Sequence, residues 1–392
     1  RRLKTIDKTK ISMKRSSNRS LGSSIAIRVT LLLICHIVCA DSFLPNAISN
    51  YRGTSSSSSL SVTVQETVWK YKGHDIYTNI KTPSSTSSTH KSNPAVLLIH
   101  GFGCSTTYWR ETATALVDQG YEVHSVDLLG QGKSAKPGRA DGTIYSIALW
   151  ADLVDSYAKD NIQQDDIVLA GNSLGSLVAL VAATGDFNAE DGTDEAWLTK
   201  RVKGICMFNC GVGLNSRGIA KEPRLTPTQR LLINSLYSVL TFFIFNNRWL
   251  LTYILDEVVT RELLSNTLQS LYKYNPDRVD DELVDSFYLP AKDDGSVDAL
   301  SQIFCNDPGV TPFELHEKYS DFLNDLPIQL VWGEEDVVTP IEGGVGQLYL
   351  DLAADKGNNV SFQMVKGGHV PFDDNPIESN KVMLQWLDGL VA

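Results

Sequence analysis

At 392 residues, with 42% apolar and 21% charged side chains, the chain is long enough for one large domain with insertions, and its composition excludes general disorder. The formal net charge of −11 is uneven: residues 1–60 hold ten Lys/Arg and two Asp/Glu, which leaves the remainder at −19. A body that acidic excludes nucleic acid as a natural partner.

Residues 1–61 read as an address. The chain begins without Met, and Met13 opens a basic stretch (Lys14, Arg15, Arg19, Arg28) followed by the apolar run V-T-L-L-L-I-C-H-I-V-C-A. That is the order of a secretory signal peptide, with residues 1–12 upstream of it. Ala40 and Ser42 stand at −3 and −1 of a cleavage site before Phe43, and the Ser-rich P-N-A-I-S-N-Y-R-G-T-S-S-S-S-S-L lacks acidic residues, as transit peptides do. The combination resembles the two-part plastid presequence of diatoms and related algae. It implies delivery through the ER to the plastid, in the stroma or associated with the thylakoid. An ordinary secreted protein or a single membrane anchor is the competing reading.

From residue 62 the pattern alternates strand and helix. T-V-W-K-Y-K-G-H-D-I-Y-T-N-I predicts a hairpin and S-S-T-S-S-T-H-K-S-N-P a loop. The apolar run 95–100, A-V-L-L-I-H, predicts a buried strand. A helix follows near 106–119, then strand Y-E-V-H-S-V-D-L, a helix near 144–160, strand D-I-V-L-A-G, a helix from 173 and strand V-K-G-I-C-M-F-N. Alternation resumes with I-Q-L-V-W-G (328–333), a helix, N-V-S-F-Q-M-V-K and a final helix over 377–391. This order predicts an α/β fold, a mostly parallel sheet with helices on both faces and ligands beyond the strand C-termini. Residues 212–315 interrupt it with a helical pattern and read as an inserted cap, dividing the core into 62–211 and 316–392. Within the cap, residues 231–255 are unusually apolar, but Asn246, Asn247 and Arg248 break the run below the length of a bilayer span. Packing within the cap, a lipophilic tunnel and a membrane-docking surface are the alternatives for this stretch.

Two cysteines, Cys35 and Cys39, fall in the address segment. Cys104, Cys206, Cys210 and Cys305 show neither the spacing of a disulfide framework nor that of a metal site. D-L-L-G-Q-G-K-S (127–134) imitates a phosphate loop, but Asp127 occupies the place of its first Gly, and a strand-to-helix turn is expected instead.

Gly171-Asn172-Ser173-Leu174-Gly175 matches G-x-S-x-G between an apolar strand and an apolar helix. A serine there has an ordinary reading as a helix N-cap. A cap needs neither glycine, however, whereas a strand-to-helix turn that presents a nucleophile needs both positions nearly free of side chain. An attacked carbonyl requires two preorganised N–H donors. Leu174, after the serine, is one candidate; Phe102, in the loop His100-Gly101-Phe102-Gly103 after strand 95–100, is the other. A general base must take the serine proton. His36 lies in the address, His74 and His90 precede the core, His100 belongs to the oxyanion loop, His124 is in a strand and His316 is near the end of the cap. His369 alone follows the last strand, in a Gly-flanked loop. The orienting carboxylate falls in V-W-G-E-E-D-V-V-T-P, which offers Glu334, Glu335 and Asp336; Asp373 and Asp374 read as caps of the final helix.

These residues resemble the α/β-hydrolase superfamily from about residue 62 to the end. The G-x-x-D spacing after the corresponding strand in that family selects Asp336, and Ser173, Asp336, His369 is its chain order. Within it, H-G-F-G, D-L-L-G-Q-G-K-S-A-K-P, A-G-N-S-L-G-S, D-D-E-L-V-D with A-L-S-Q-I-F, L-V-W-G-E-E-D-V-V-T-P-I-E-G-G-V-G and G-G-H-V-P-F-D-D-N-P look like the plastid chlorophyll dephytylase and pheophytinase group. That resemblance implies a serine ester hydrolase removing phytol from chlorophyll or a derivative. It implies no cofactor or metal, a lipophilic ester such as chlorophyll a or pheophytin a as partner, and peripheral thylakoid contact through the cap. Plant members usually read G-H-C-P-H-D, so the second histidine of that loop is missing here. A plastid lipid or carotenoid-ester hydrolase with the same triad, and a hydrolase-derived ligand receptor, are the competing readings.

Overall fold

The computed structural model describes residues 62–83, 93–188 and 196–391. The address segment with Cys35, Cys39 and His36, and the loop containing His90, lie outside the described residues.

Eight strands form one sheet in the order β1-β2-β4-β3-β5-β6-β7-β8. β1 (Val62–Tyr71) and β2 (His74–Pro83) make the expected hairpin and pair antiparallel, as do β2 and β4. β3 (Ala95–Ile99), β4 (Val123–Val126), β5 (Ile167–Asn172), β6 (Val202–Phe208), β7 (Ile328–Gly333) and β8 (Val360–Val365) run parallel. Every residue of β3, β5 and β7 is buried, because helices cover both faces of a central parallel strand. At the edges β8 alternates buried and exposed positions, and β1 exposes Val64 and Val68.

Helices α1 (Arg110–Asp118), α2 (Ile147–Asn161) and α3 (Leu174–Thr184) connect the first strands. Between β6 and β7 come α4 (Pro227–Leu240), α5 (Arg248–Tyr253), α6 (Arg261–Leu271), α7 (Asp281–Ala291), α8 (Ser296–Cys305), α9 (Pro312–Lys318) and α10 (Ser320–Asp325). Then follow α11 (Gly344–Ala354), the single turn α12 (Pro371–Asp374) and α13 (Pro376–Val391). One face of the sheet packs on α2 and α3 through Trp150, Leu153, Tyr157 and Leu177; the other packs on α1 and α13 through Ala113, Leu116, Met383 and Leu387. α9 and α10 join the first of these cores through Leu315 and Leu323. The insertion has a small core of its own, in which Phe245 stacks on Phe304 with ring centroids 4.3 Å apart.

The apolar stretch 231–255 is broken into α4, a π-turn at Thr241–Phe245 and α5. No described helix is long and apolar enough to cross a membrane. The insertion meets the core over the loops after β3 and β4: Phe102 packs edge-on against Phe304 at 5.3 Å, and Tyr108 against Phe287 at 5.3 Å.

Candidate active site

Ser173 ends β5 and begins α3 with φ 53° and ψ −115°, a conformation that costs a non-glycine residue about 1–3 kcal/mol. It is held from both sides: its N–H donates to the Phe208 carbonyl at 2.9 Å, and its carbonyl accepts the Gly211 N–H at 2.9 Å. A Cβ on Gly171 would collide with the Gly175 backbone, and one on Gly175 would collide with the Ile99 carbonyl. Both glycines are therefore required by the closeness of β3, β5 and α3. Ser173 stands at the N-cap position of α3, yet its side chain makes no capping hydrogen bond.

The His100-Gly103 loop lies directly against this turn. A Cβ on Gly101 would sit 3.4 Å from Ser173 Cβ, and Gly103 takes φ 72°. His100 braces the loop: Nδ1–H donates to the Gly101 carbonyl at 2.7 Å, while Nε2 accepts the Leu128 N–H at 2.9 Å. These bonds fix the neutral tautomer, and burial pushes the pKa of His100 below its ordinary value. The turn 127–134 supports the same loop. Asp127 accepts the N–H groups of Thr106 at 2.6 Å and Lys133 at 2.7 Å, and Gln131 Oε1 accepts that of Gly103 at 2.6 Å.

After β7, Glu334 and Glu335 are exposed and Asp336 turns inward. Asp336 Oδ2 accepts His369 Nδ1–H at 2.9 Å, the Thr339 hydroxyl at 2.6 Å and the Asn209 amide; Oδ1 accepts the N–H groups of Val338 at 2.7 Å and Thr339 at 3.1 Å. Burial alone would raise the pKa of this carboxyl. The neighbouring His369 and the hydrogen bonds from His369, Thr339 and Asn209 outweigh it and hold the group below its ordinary 3.8. Asn209 itself adopts φ 48°, and its Oδ1 accepts the Gly333 N–H, so it ties β6 to β7 beneath the carboxylate.

His369 follows β8 and is only 8% exposed. Asn172 Nδ2 donates to the His369 carbonyl at 3.2 Å and to the Phe208 carbonyl at 3.1 Å, joining the histidine loop to the residue before Ser173. With Nδ1 committed to Asp336, Nε2 is the ring nitrogen left for proton transfer. The fold thus brings Ser173, Leu174, Gly101, Asp336 and His369 to one end of the sheet. Sequence reading missed Asn172, Asn209 and Thr339; the polar residues in G-N-S, F-N-C-G and V-V-T-P mark the C-terminal ends of three adjacent strands and are the only sequence sign of them.

Asp373 and Asp374 do not cap the final helix. Both are fully buried and face the insertion. Asp374 accepts the N–H groups of Gly368 at 2.8 Å, Lys273 at 2.9 Å, Tyr274 at 3.1 Å and Asn275 at 2.7 Å. Asp373 accepts from Arg110 Nε at 3.0 Å, the Tyr272 hydroxyl at 2.6 Å and Arg278 at 3.2 Å. The position of the missing second histidine, Phe372, is buried and stacks on Trp109 at 4.1 Å; it is a core position in this chain.

A cavity of about 200 Å³ lies between the insertion and the core. Phe102, Gly103 and Gln131 form its core side, and Leu255, Phe287 and Phe304 are among the residues of its cap side. Ser173 and His369 are not among its lining residues; Phe102 and Gly103, from the loop that lies against the Ser173 turn, are. Among the described residues no group of three His, Cys, Asp or Glu is placed to hold a metal ion.

A model of the Alpha/beta hydrolase family matches residues 96–380. The uncharacterized hydrolase YugF of Bacillus subtilis is 26% identical over 290 residues, 73% of this chain and 88% of that protein. The chloroplastic pheophytinase of Arabidopsis thaliana is 24% identical over 330 residues, 76% of this chain and 62% of that protein. Among solved structures, the epoxide hydrolase CorEH superposes with a TM-score of 0.56 at 20% identity, covering 84% of this chain and all of that one; the likeness is one of fold. The chain, by its family match and its strand order, belongs to the alpha/beta hydrolase family.

Proposed function

We propose that the chain is a serine carboxylic-ester hydrolase that removes phytol from chlorophyll or a chlorophyll derivative. The observation that carries the hydrolase reading is a serine in a strained turn, with no capping bond on its hydroxyl, beside a buried Asp336–His369 pair. Ser173 Oγ attacks the ester carbonyl as His369 Nε2 takes its proton, and Asp336 stabilises the imidazolium through Nδ1–H. The N–H groups of Phe102 and Leu174 receive the oxyanion. Collapse of the tetrahedral intermediate breaks the bond to the alcohol, which leaves with the proton from His369. Water then cleaves the acyl-enzyme by the same proton path.

The pigment substrate is supported by the apolar cavity, by the shared motifs and by the similarity to the Arabidopsis pheophytinase. Phytyl esters reside in membrane lipid, and the cap has a surface suited to lipid. Phe242 is 72% and Trp249 75% exposed, next to exposed Phe243, Tyr253, Leu231 and Leu232, while Phe245 and Leu251 of the same stretch line the cavity. Residues 231–255 contain one charge, Arg248, which pairs with Asp298. Such a patch fits the interfacial layer of a bilayer. Plastid localisation rests on the composition of residues 1–61.

Incubation of the protein with chlorophyll a, pheophytin a and p-nitrophenyl decanoate, beside Ser173→Ala, tests the reading. Release of phytol from at least one pigment is expected, with loss of about 10³-fold or more of all ester turnover in Ser173→Ala. Cleavage of the nitrophenyl ester alone would remove the pigment assignment, and full activity of Ser173→Ala would remove the serine mechanism.

A further inference from the structure

The cavity is apolar apart from a few groups, and one of those has unspent hydrogen-bonding capacity. Gln131, in the turn after β4, is 4% exposed and stands on the cavity wall beside Phe102 and Gly103. Its Oε1 accepts the Gly103 N–H at 2.6 Å, which fixes which end of the carboxamide is oxygen. Nε2, with two N–H donors, is buried without a partner among the described residues. Lys136, the charged side chain in the wall, is fully engaged: Nζ donates to the Gly132 carbonyl at 2.7 Å, the Ser134 carbonyl at 3.2 Å and the Asp293 carboxylate at 2.8 Å.

Holding the Gly103 N–H requires only the oxygen of this side chain. A buried amide nitrogen left bare is costly, and native interiors rarely carry one unless a ligand or water supplies its acceptor. A purely hydrocarbon substrate would leave it bare even when bound. We infer that Gln131 is a specificity-determining residue whose Nε2 donates to a second carbonyl oxygen carried by the substrate, apart from the ester that is cleaved. The inference rests on the ester-hydrolase reading and deepens it: the acceptable class is an apolar ester with a further ketone or ester carbonyl that enters the cavity. A chlorophyll-type macrocycle belongs to that class, since its carbocyclic ring carries a ketone and a carbomethoxy group beside the propionate.

The test compares p-nitrophenyl decanoate with a panel of p-nitrophenyl oxodecanoates whose ketone moves along the chain from carbon 5 outward, too far to alter the reactivity of the ester. Wild type is expected to turn over at least one oxo-ester with kcat/KM about tenfold above decanoate, because the site donor is satisfied only there. Gln131→Met is expected to bring that ratio to one or below, since a ketone then meets only apolar wall. A change in the oxyanion loop caused by losing the Gly103 contact would lower both substrates together and leave the ratio unmoved. A flat panel in wild type, or an unchanged ratio in Gln131→Met, overturns the inference. If no ester in the panel is cleaved, or Ser173→Ala cleaves them normally, the hydrolase reading falls and takes the inference with it.

Discussion

The two walls of the candidate site are built on opposite principles. On the core wall the polar groups around Asp336 and His369 are tied to several others: Asp336 alone receives five hydrogen bonds, His100 and Asn172 each bridge two backbone segments, and Asn209 joins the Gly333 N–H to the Asp336 carboxylate. The cap wall is held by aromatic and aliphatic contacts and leaves Phe242, Phe243 and Trp249 in solvent. Networks of directional bonds hold a geometry to a few tenths of an ångström, which proton transfer demands. Apolar contacts can slide and repack, which a long flexible substrate demands. The walls join at Asp373 and Asp374, which bind cap residues 272–278 and stand four and five residues beyond His369.

The largest effect that would sharpen this division is expected from Asp336→Asn. An amide has one acceptor oxygen where the carboxylate uses two, so its nitrogen must face either the His369, Thr339 and Asn209 donors or the Val338 and Thr339 N–H groups, and the imidazole loses its orienting geometry and its counter-charge. kcat is expected to fall about 10³- to 10⁴-fold on short and long esters alike, with KM changed less than threefold. A loss that grows with chain length, read from steady-state kinetics across nitrophenyl acetate to decanoate, would break the comparison by showing that the core wall also selects substrate.

Asp374→Asn tests the join. Four N–H groups converge on the two carboxylate oxygens, and an amide nitrogen in place of one oxygen would face donors. The expected cost is about 3 kcal/mol of stability, read by thermal unfolding. Because Gly368 precedes His369, kcat is also expected to fall about tenfold on short and long esters equally. Normal kcat with a lowered melting temperature would make the join a structural rivet without influence on the histidine.

What could be read in the sequence follows the same division. The strands are legible because buried parallel strands are short apolar runs, and the turn at Ser173 is legible because the close approach that demands Gly171 and Gly175 occurs within five residues. Asp336 could be separated from Glu334 and Glu335 only by family spacing, since its partner Asn209 is 127 positions away and no local pattern records that contact. Asp373 and Asp374 look like helix caps because acidic residues before a helix usually are; most of their true donors lie about a hundred residues earlier. Gln131 was hidden inside a turn whose glycines mimic a phosphate loop. In the cap, the apolar stretch 231–255 was visible but its division into inward and outward faces was not, because the π-turn at Thr241–Phe245 shifts the helical phase between α4 and α5.

That division of faces supplies the smallest and most selective expectation. Phe242 and Trp249 point to solvent and line no part of the cavity, whereas Phe245 and Leu251 from the same turns close it. Replacing both exposed rings, Phe242→Ser with Trp249→Ser, removes apolar area from the surface without opening the interior. Binding to vesicles of neutral galactolipid, measured by co-sedimentation, is expected to weaken about tenfold. Turnover of an ester presented in those vesicles should fall by a similar factor, while kcat/KM for soluble nitrophenyl acetate stays within twofold. If soluble and vesicle-borne esters decline together, the two faces of the cap are not independent and the exposed rings act through the cavity. If neither declines, the patch serves something other than a lipid surface, and the cap's contribution is confined to the cavity it closes.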